Sequence, residues 1–335
     1  MPLGGATTIP ATLCVSPILV GGRIALVMTL ESRLAILCFL VGSAAYVHFR
    51  GRARLPLRRQ LTDHSTFAAP YNVLVYLFSA VPRRPRLDVA DFPHLAPLRE
   101  HWREIRDEAL RLRDGAHIRA AEKRNDIAFN AFFQRGWKRF YVKWYDDVLP
   151  SARALCPRTV ELVESIPEVN AALFAFLPAG GKLAPHRDPF AGSLRYHLGL
   201  VTPNSDACRI WIDGEPYSWR DGEDVVFDET FVHRALNATD QDRIILFCDV
   251  ERPLRTPVAR AANRFVARKI LKVTAAQNVP TEKVGLVNRV SALIYWYRGF
   301  LRRAKKVNRT AYYAVEYAVL GALLYLIFFA VRAGR

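Results

Sequence analysis

The chain has 335 residues, 48 of them Lys or Arg against 31 Asp or Glu, for a formal net charge of +17 with 51% hydrophobic residues. The basic residues gather beside apolar segments, so an anionic membrane surface fits that charge and nucleic acid does not. The five cysteines (Cys14, Cys38, Cys156, Cys208, Cys248) are odd in number and lack a C-x-x-C, which excludes a disulfide framework or zinc knuckle as the organising principle and fits a reducing compartment.

Residues 1–30 hold an apolar stretch without a secretory cleavage pattern, and Met28 opens a more conventional start, MTLESR. They are read as a poorly structured extension, or as a mis-assigned start. Residues 34–49 carry no formal charge and are slightly short for a spanning helix. Arg50, Arg52, Arg54, Arg58 and Arg59 follow at once, which marks 31–50 as an N-terminal membrane anchor and puts the next residues in the cytoplasm. Residues 51–137 form a helical lead-in. Within it, 72–81 is a second apolar run, too short to span, suited to an interface or to the entry of a site. From 88 to about 122, Leu95, Leu98, Trp102, Ile105 and Leu110 recur at helical spacing, and Trp102 reads as core.

Residues 138–254 are rich in short strands: FYVKWY, LFAFL, RYHLGLV, CRIWI, DVVFD and RIILFCDV, separated by Gly, Pro, Asn and Asp clusters such as TPNSDA and DGEP. That spacing predicts a mainly β core, a jelly-roll or cupin-like barrel. His186 and Asp188 are two apart, so on an extended strand both face one way, and His233 follows forty-five residues later. Two histidines and a carboxylate make the facial triad that holds non-haem Fe(II) and leaves positions open for cosubstrate and oxygen. Arg195 and His197 are again two apart, and Arg243 follows His233 by ten. A guanidinium facing an iron pocket needs an anion, and a carboxylate is its natural bidentate partner. Iron beside such an arginine points to 2-oxoglutarate, which chelates metal at one end and offers a carboxylate at the other.

Beyond Pro253 the composition changes. From Arg255 to Arg309 there are fourteen Lys or Arg and a single acid, Glu282, interleaved with the aromatic cluster SALIYWYRGF. Residues 255–310 therefore read as basic amphipathic helices lying in the interface. Residues 311–331, apolar apart from Glu316, are a candidate C-terminal membrane helix, again with its N-terminal side cytoplasmic.

HRDPFAGSLRYHLGL, then DGEPYSWRDGEDVVFDETFVHRA, then RIILFCDVERPL, resemble the aspartyl/asparaginyl β-hydroxylase family over about 138–254. The resemblance implies Fe(II), 2-oxoglutarate and O₂ chemistry on a double-stranded β-helix. It places metal histidines at His186 and His233 and cosubstrate residues at Arg195, His197 and Arg243. The vertebrate branch of the family lacks the acidic ligand, whereas this chain has Asp188. Residues 46–82 and 136–147 are further similar to the membrane-bound lipid A 2-hydroxylases of Gram-negative bacteria.

The expectation is thus an inner-membrane dioxygenase with helices at both ends and its catalytic domain facing the cytoplasm. It would hydroxylate a fatty acyl chain of lipid A at C2 and release succinate and CO₂. Ornithine lipid is the alternative substrate, and peptidyl aspartyl or asparaginyl hydroxylation a further one. A membrane-anchored binding module without catalysis is the reading from a different class.

Overall fold

The computed structural model describes residues 15–20, 23–120, 126, 129–133, 135–145 and 147–328. It divides into two units, one of residues 1–45 and 302–335 and one of 46–301.

The 46–301 unit is built on two antiparallel sheets. Its strands are β3 (Arg86–Leu87), β4 (Lys138–Trp144), β5 (Asp147–Val148), β6 (Val169–Leu177), β7 (Lys182–His186), β8 (Ser193–Val201), β9 (Cys208–Ile212), β10 (Glu215–Ser218), β11 (Asp224–Phe227), β12 (His233–Asn237) and β13 (Arg243–Glu251). One sheet runs β3-β11-β8-β13-β6-β4-β5 and the other β10-β9-β12-β7. From β6 onward the chain alternates between the sheets, with only the β9–β10 hairpin staying in one, as a double-sheet jelly roll requires.

Every residue of β6 and β13 is buried, so these central strands read as continuous apolar runs rather than as an alternation. Leu246 sits between Phe174 of β6 and Leu198 of β8, and the core extends outward from that row. The β9–β10 hairpin turns at Asp213 and Gly214, with φ of 53° and 92°. Asp-Gly is the dipeptide that tolerates two left-handed residues in succession. The Asp213 carboxylate also accepts from the Arg52 and Ala53 amides at 3.0 and 2.8 Å, which ties the arginine-rich stretch to the barrel. Arg50 adds an ion pair to buried Asp228 at 2.8 Å.

The helical reading of 88–122 is interrupted. Short 3-10 turns at Val89–Asp91 and Pro93–Leu95 precede the helices Ala96–Glu100 and Trp102–Asp114. Pro93 and Pro97 each lack an amide hydrogen, so each suits the first turn of a new helical segment. Trp102 is partly buried and packs on the core. The segment from Arg255 is likewise not one run of interfacial helix. Pro257–Phe265 is helical, but 275–285 is not, and its Asn278 is buried against β4. There the Asn278 amide donates to Tyr141 O and accepts from Tyr141 N, both at 2.8 Å. β4 is bulged between Tyr141 and Lys143, and a buried backbone pair left without a strand partner needs such a side chain.

In the other unit, β1 (Val15–Val20) and β2 (Arg23–Met28) pair antiparallel, where the sequence reading had expected a poorly structured extension. Two β-rich runs separated by Gly21 and Gly22 carry a hairpin signal that composition alone hides. Among the described residues one helix, Leu30–Phe49, is long and apolar enough to cross a membrane. It begins four residues earlier than the uncharged run, taking in Glu31 and Arg33. The C-terminal apolar stretch forms the helix Arg309–Phe328, and its last residues, 329–331, lie outside the described residues.

Candidate active site

β7 and β12 are antiparallel neighbours, and their register sets His186 directly opposite His233. Facing residues in such a pair hold their Cβ atoms about 5 Å apart, and here the imidazole centroids are 4.2 Å apart. His186 Nδ1 donates to Ala184 O at 2.7 Å and His233 Nδ1 to Phe231 O at 3.0 Å. A carbonyl can only accept, so both protons sit on Nδ1 and both Nε2 lone pairs are free for a metal. Asp188 leaves the end of β7 with its amide bonded to Glu229 O at 3.0 Å. One ligand atom from each of His186, Asp188 and His233 lies within 4.8 Å of the other two. Burial lowers His186 and pushes His233 down to about 3, which keeps both rings in the neutral, ligating form.

The Asp188 carboxylate accepts from Arg195 Nη2 at 2.8 Å. The same guanidinium pairs with Glu229 and lies 3.1 Å from Asp249, which β13 sets opposite Arg195 on β8. Ser193 donates to Glu229 at 2.8 Å and Tyr145 to Asp249 at 3.0 Å. Burial raises Glu229 to about 8 against the pull of Arg195, with Asp249 and Asp188 adding to the rise. Asp188 itself is held below its ordinary value: burial opposes this, and Arg195 and His233 outweigh it.

Arg243 is a different case. It is 2% exposed, its guanidinium lies 4.3 Å over the Trp219 ring, and among the described residues no acid or hydrogen-bond acceptor meets it. Burial pushes it down to about 10. His197, stacked on Phe247 at 5.2 Å, has both ring nitrogens buried without a partner among the described residues, and burial lowers it far below its usual value.

All six residues singled out in the sequence line one cavity that is partly open to solvent. Phe132, Trp137, Leu183, Ile210 and Trp219 supply its apolar wall. The site thus offers a three-ligand metal position at one end and an uncompensated cation at the other, with two unpartnered imidazole nitrogens between apolar surfaces. The sequence reading missed Glu229 and Asp249, which neutralise Arg195, and Trp219 beneath Arg243. The DET triplet three residues before His233 was the one available signal for Glu229.

A family match spans the same residues. Residues 99–253 match the family described as aspartyl/asparaginyl beta-hydroxylase. An ornithine lipid ester-linked acyl 2-hydroxylase of Rhizobium tropici is 31% identical over 207 residues, 61% of this chain and 71% of that protein. Human aspartyl/asparaginyl beta-hydroxylase is 28% identical over 169 residues, 49% of this chain but 22% of that longer protein. Among solved structures, a Pseudomonas putida prolyl-4-hydroxylase is similar with 17% identity and a TM-score of 0.31, over 46% of this chain and 88% of that one. The class is that of the hydroxylases of the Fe(II)/2-oxoglutarate type. Within it, the chain belongs to the aspartyl/asparaginyl β-hydroxylase family.

Proposed function

We propose that the protein hydroxylates a fatty acyl chain of a membrane lipid at C2, consuming O₂ and 2-oxoglutarate and releasing succinate and CO₂. The observation that carries this reading is the pairing, in one apolar cavity, of a His–Asp–His set with a buried arginine that has no counter-ion among the described residues. His186, Asp188 and His233 would hold Fe(II), and Arg243 would take the distal carboxylate of 2-oxoglutarate, with His197 beside it. Iron and 2-oxoglutarate, when bound, supply an oxidant able to attack an unactivated C–H bond. The chain's own residues do the rest. The two Nδ1 donors fix the imidazoles, the ring-lined wall excludes water, and Arg243 orients an anion by a fork of charge-assisted donors. Arg195 already faces three carboxylates, so we assign it to aiming and ionising Asp188 rather than to the cosubstrate.

The lipid is the finer part of the proposal. The likeness of 46–82 and 136–147 to lipid A 2-hydroxylases, and the Lys/Arg set suited to a phosphorylated head group, support lipid A. The Rhizobium tropici relative supports ornithine lipid as a second reading. Peptidyl hydroxylation would leave an apolar helix such as Leu30–Phe49 without use. The Arg-rich stretch after that helix supports an inner-membrane enzyme whose 46–301 unit faces the cytoplasm, with Arg309–Phe328 as a second anchor. Mass spectrometry of lipids from cells with and without the protein tests it. One oxygen gained on lipid A is expected; a gain on ornithine lipid alone selects the second reading, and no oxidised lipid overturns both. Iron-dependent release of succinate separates every enzymatic reading from a silent binding module.

A further inference from the structure

The helix His64–Phe78 does two things on opposite faces. Its inner face grips the loop that carries Asp188. His64 Nε2 donates to Arg187 O at 2.7 Å, and Asn72 spans Pro189 and Ala191, donating to Pro189 O and accepting from Ala191 N, both at 2.9 Å. Tyr76 donates to Thr230 at 2.8 Å, three residues before His233. Ser65, Ala69, Asn72 and Tyr76 form this buried stripe at helical spacing.

The outer face is unlike that of an ordinary surface helix. Phe67, Leu74 and Phe78 recur at i, i+7 and i+11 and are 68%, 46% and 42% exposed, with Leu77 beside them at 53%. A surface helix of a water-soluble domain carries charge on its solvent side. Here no Asp, Glu, Lys, Arg or His occurs from Ser65 to Pro82. Charge appears only at the two ends and is mainly basic: Arg52 (paired with Glu215 at 3.4 Å), Arg54, Arg58 and Arg59 before the helix, and Arg83, Arg84 and Arg86 after it, every one exposed. The one acid between Arg52 and Arg86 is Asp63, a largely buried N-cap bonded to the Ser65 amide. An uncharged, aromatic-bearing face flanked by arginines matches a bilayer with anionic head groups, apolar residues meeting acyl chains and guanidinium groups meeting phosphates. A protein partner would have to match the same stripe with a row of acids at both ends.

We infer that His64–Phe78 is an in-plane docking helix, sunk by its Phe67–Leu74–Phe78 face into an anionic bilayer, so that the loop bearing Asp188 is gripped by an element resting on the lipid. The surface is argued from its own residues; it rests on the lipid-hydroxylase reading only in what the docked site would act on.

The test uses the full chain in nanodiscs of phosphatidylethanolamine and phosphatidylglycerol. A spin label is placed at Leu74→Cys, and in a second sample at Asp240→Cys, an exposed position outside the site, with Cys14 and Cys38 replaced by Ser. The label at 74 should collide with O₂ in preference to a water-soluble nickel chelate, and the label at 240 the reverse. A label at 74 open to the chelate overturns the inference, and so does one shielded from both reagents, which would mean a protein partner or a second copy covers the face. The Leu74→Glu/Leu77→Glu pair alters only outward side chains. It should raise the apparent KM for bilayer-held lipid by roughly tenfold or more while sparing detergent-dispersed lipid. Equal loss on both substrates would make the helix ordinary structure and overturn the inference. Label depth is read without turnover, so a deep label with no oxidised lipid supports this surface while removing the proposed substrate.

Discussion

Two buried arginines line one cavity and are treated in opposite ways. Arg195 is ringed by Asp188, Glu229 and Asp249, and these acids raise it above its ordinary value despite burial. Arg243 meets no acid among the described residues and is lowered by that same burial. A cation whose charge is cancelled within the fold serves structure, here the carboxylate of the metal set. A cation left uncancelled in an apolar wall costs free energy until an anion arrives, and the fold keeps it only if that anion is part of its working state.

The largest effect should come from the metal end. Substituting Ala for His186, Asp188 or His233 should abolish Fe(II) binding, read by titration of the purified protein, and with it succinate release. Retention of turnover by Asp188→Ala would reduce the set to two ligands.

The arginines themselves come next, and they should part company. Arg195→Met leaves three acids without their cation and should destabilise the fold by about 3–5 kcal/mol in denaturant melts, because the surviving buried charges lose their partner. Arg243→Met should leave cosubstrate-free stability unchanged or higher. It should weaken 2-oxoglutarate by about 2–5 kcal/mol, the cost of breaking a buried charge pair. Arg243→Lys should recover part of that loss, a point charge lacking the bidentate fork. Reversed results would exchange the two roles.

Away from the cavity, Asn278→Ala should cost about 1–3 kcal/mol of stability, since it strands the Tyr141 amide and carbonyl at the β4 bulge. The metal titration should be untouched. The smallest effect is expected from removing residues 1–27. A chain starting at Met28 should still reach the membrane fraction and hydroxylate, and failure there would give the N-terminal hairpin a function.

The contrast between the arginines also marks what the sequence could reveal. His186 and Asp188 were legible because strand periodicity is local, and Arg243 because an inward guanidinium has few uses. The neutralisation of Arg195 was not, because its partner Asp249 lies fifty-four residues away and becomes a neighbour only through the β8–β13 register. A two-residue slip in that pairing would have given another answer. The bulge that draws in Asn278 is similarly silent in the sequence, which is why 255–310 read as basic amphipathic helices with no segment packed on the barrel. The strands with apolar runs were legible between their Gly, Pro and Asn clusters, whereas β7, β10 and β12, short and without such a run, were not among the predicted strands.

Arg187 stands between His186 and Asp188 in the HRD run, just past the end of β7, and its side chain leaves their cavity. Its two terminal nitrogens reach Val47 O, His48 O at 3.4 Å and the Gln60 amide oxygen at 3.4 Å, so a fully buried charge is met chiefly by the final carbonyls of the apolar Leu30–Phe49 helix. This sets where the chain can be cut. A soluble fragment begun after Arg50 would strip Arg187 of two of its three acceptors, one residue from both His186 and Asp188. One begun at Tyr46 or before keeps the carbonyls that the residue needs. The trimming point for a crystallisable or assayable enzyme therefore lies inside the helix, a turn short of its end, and not at the hydrophobic boundary that composition suggests.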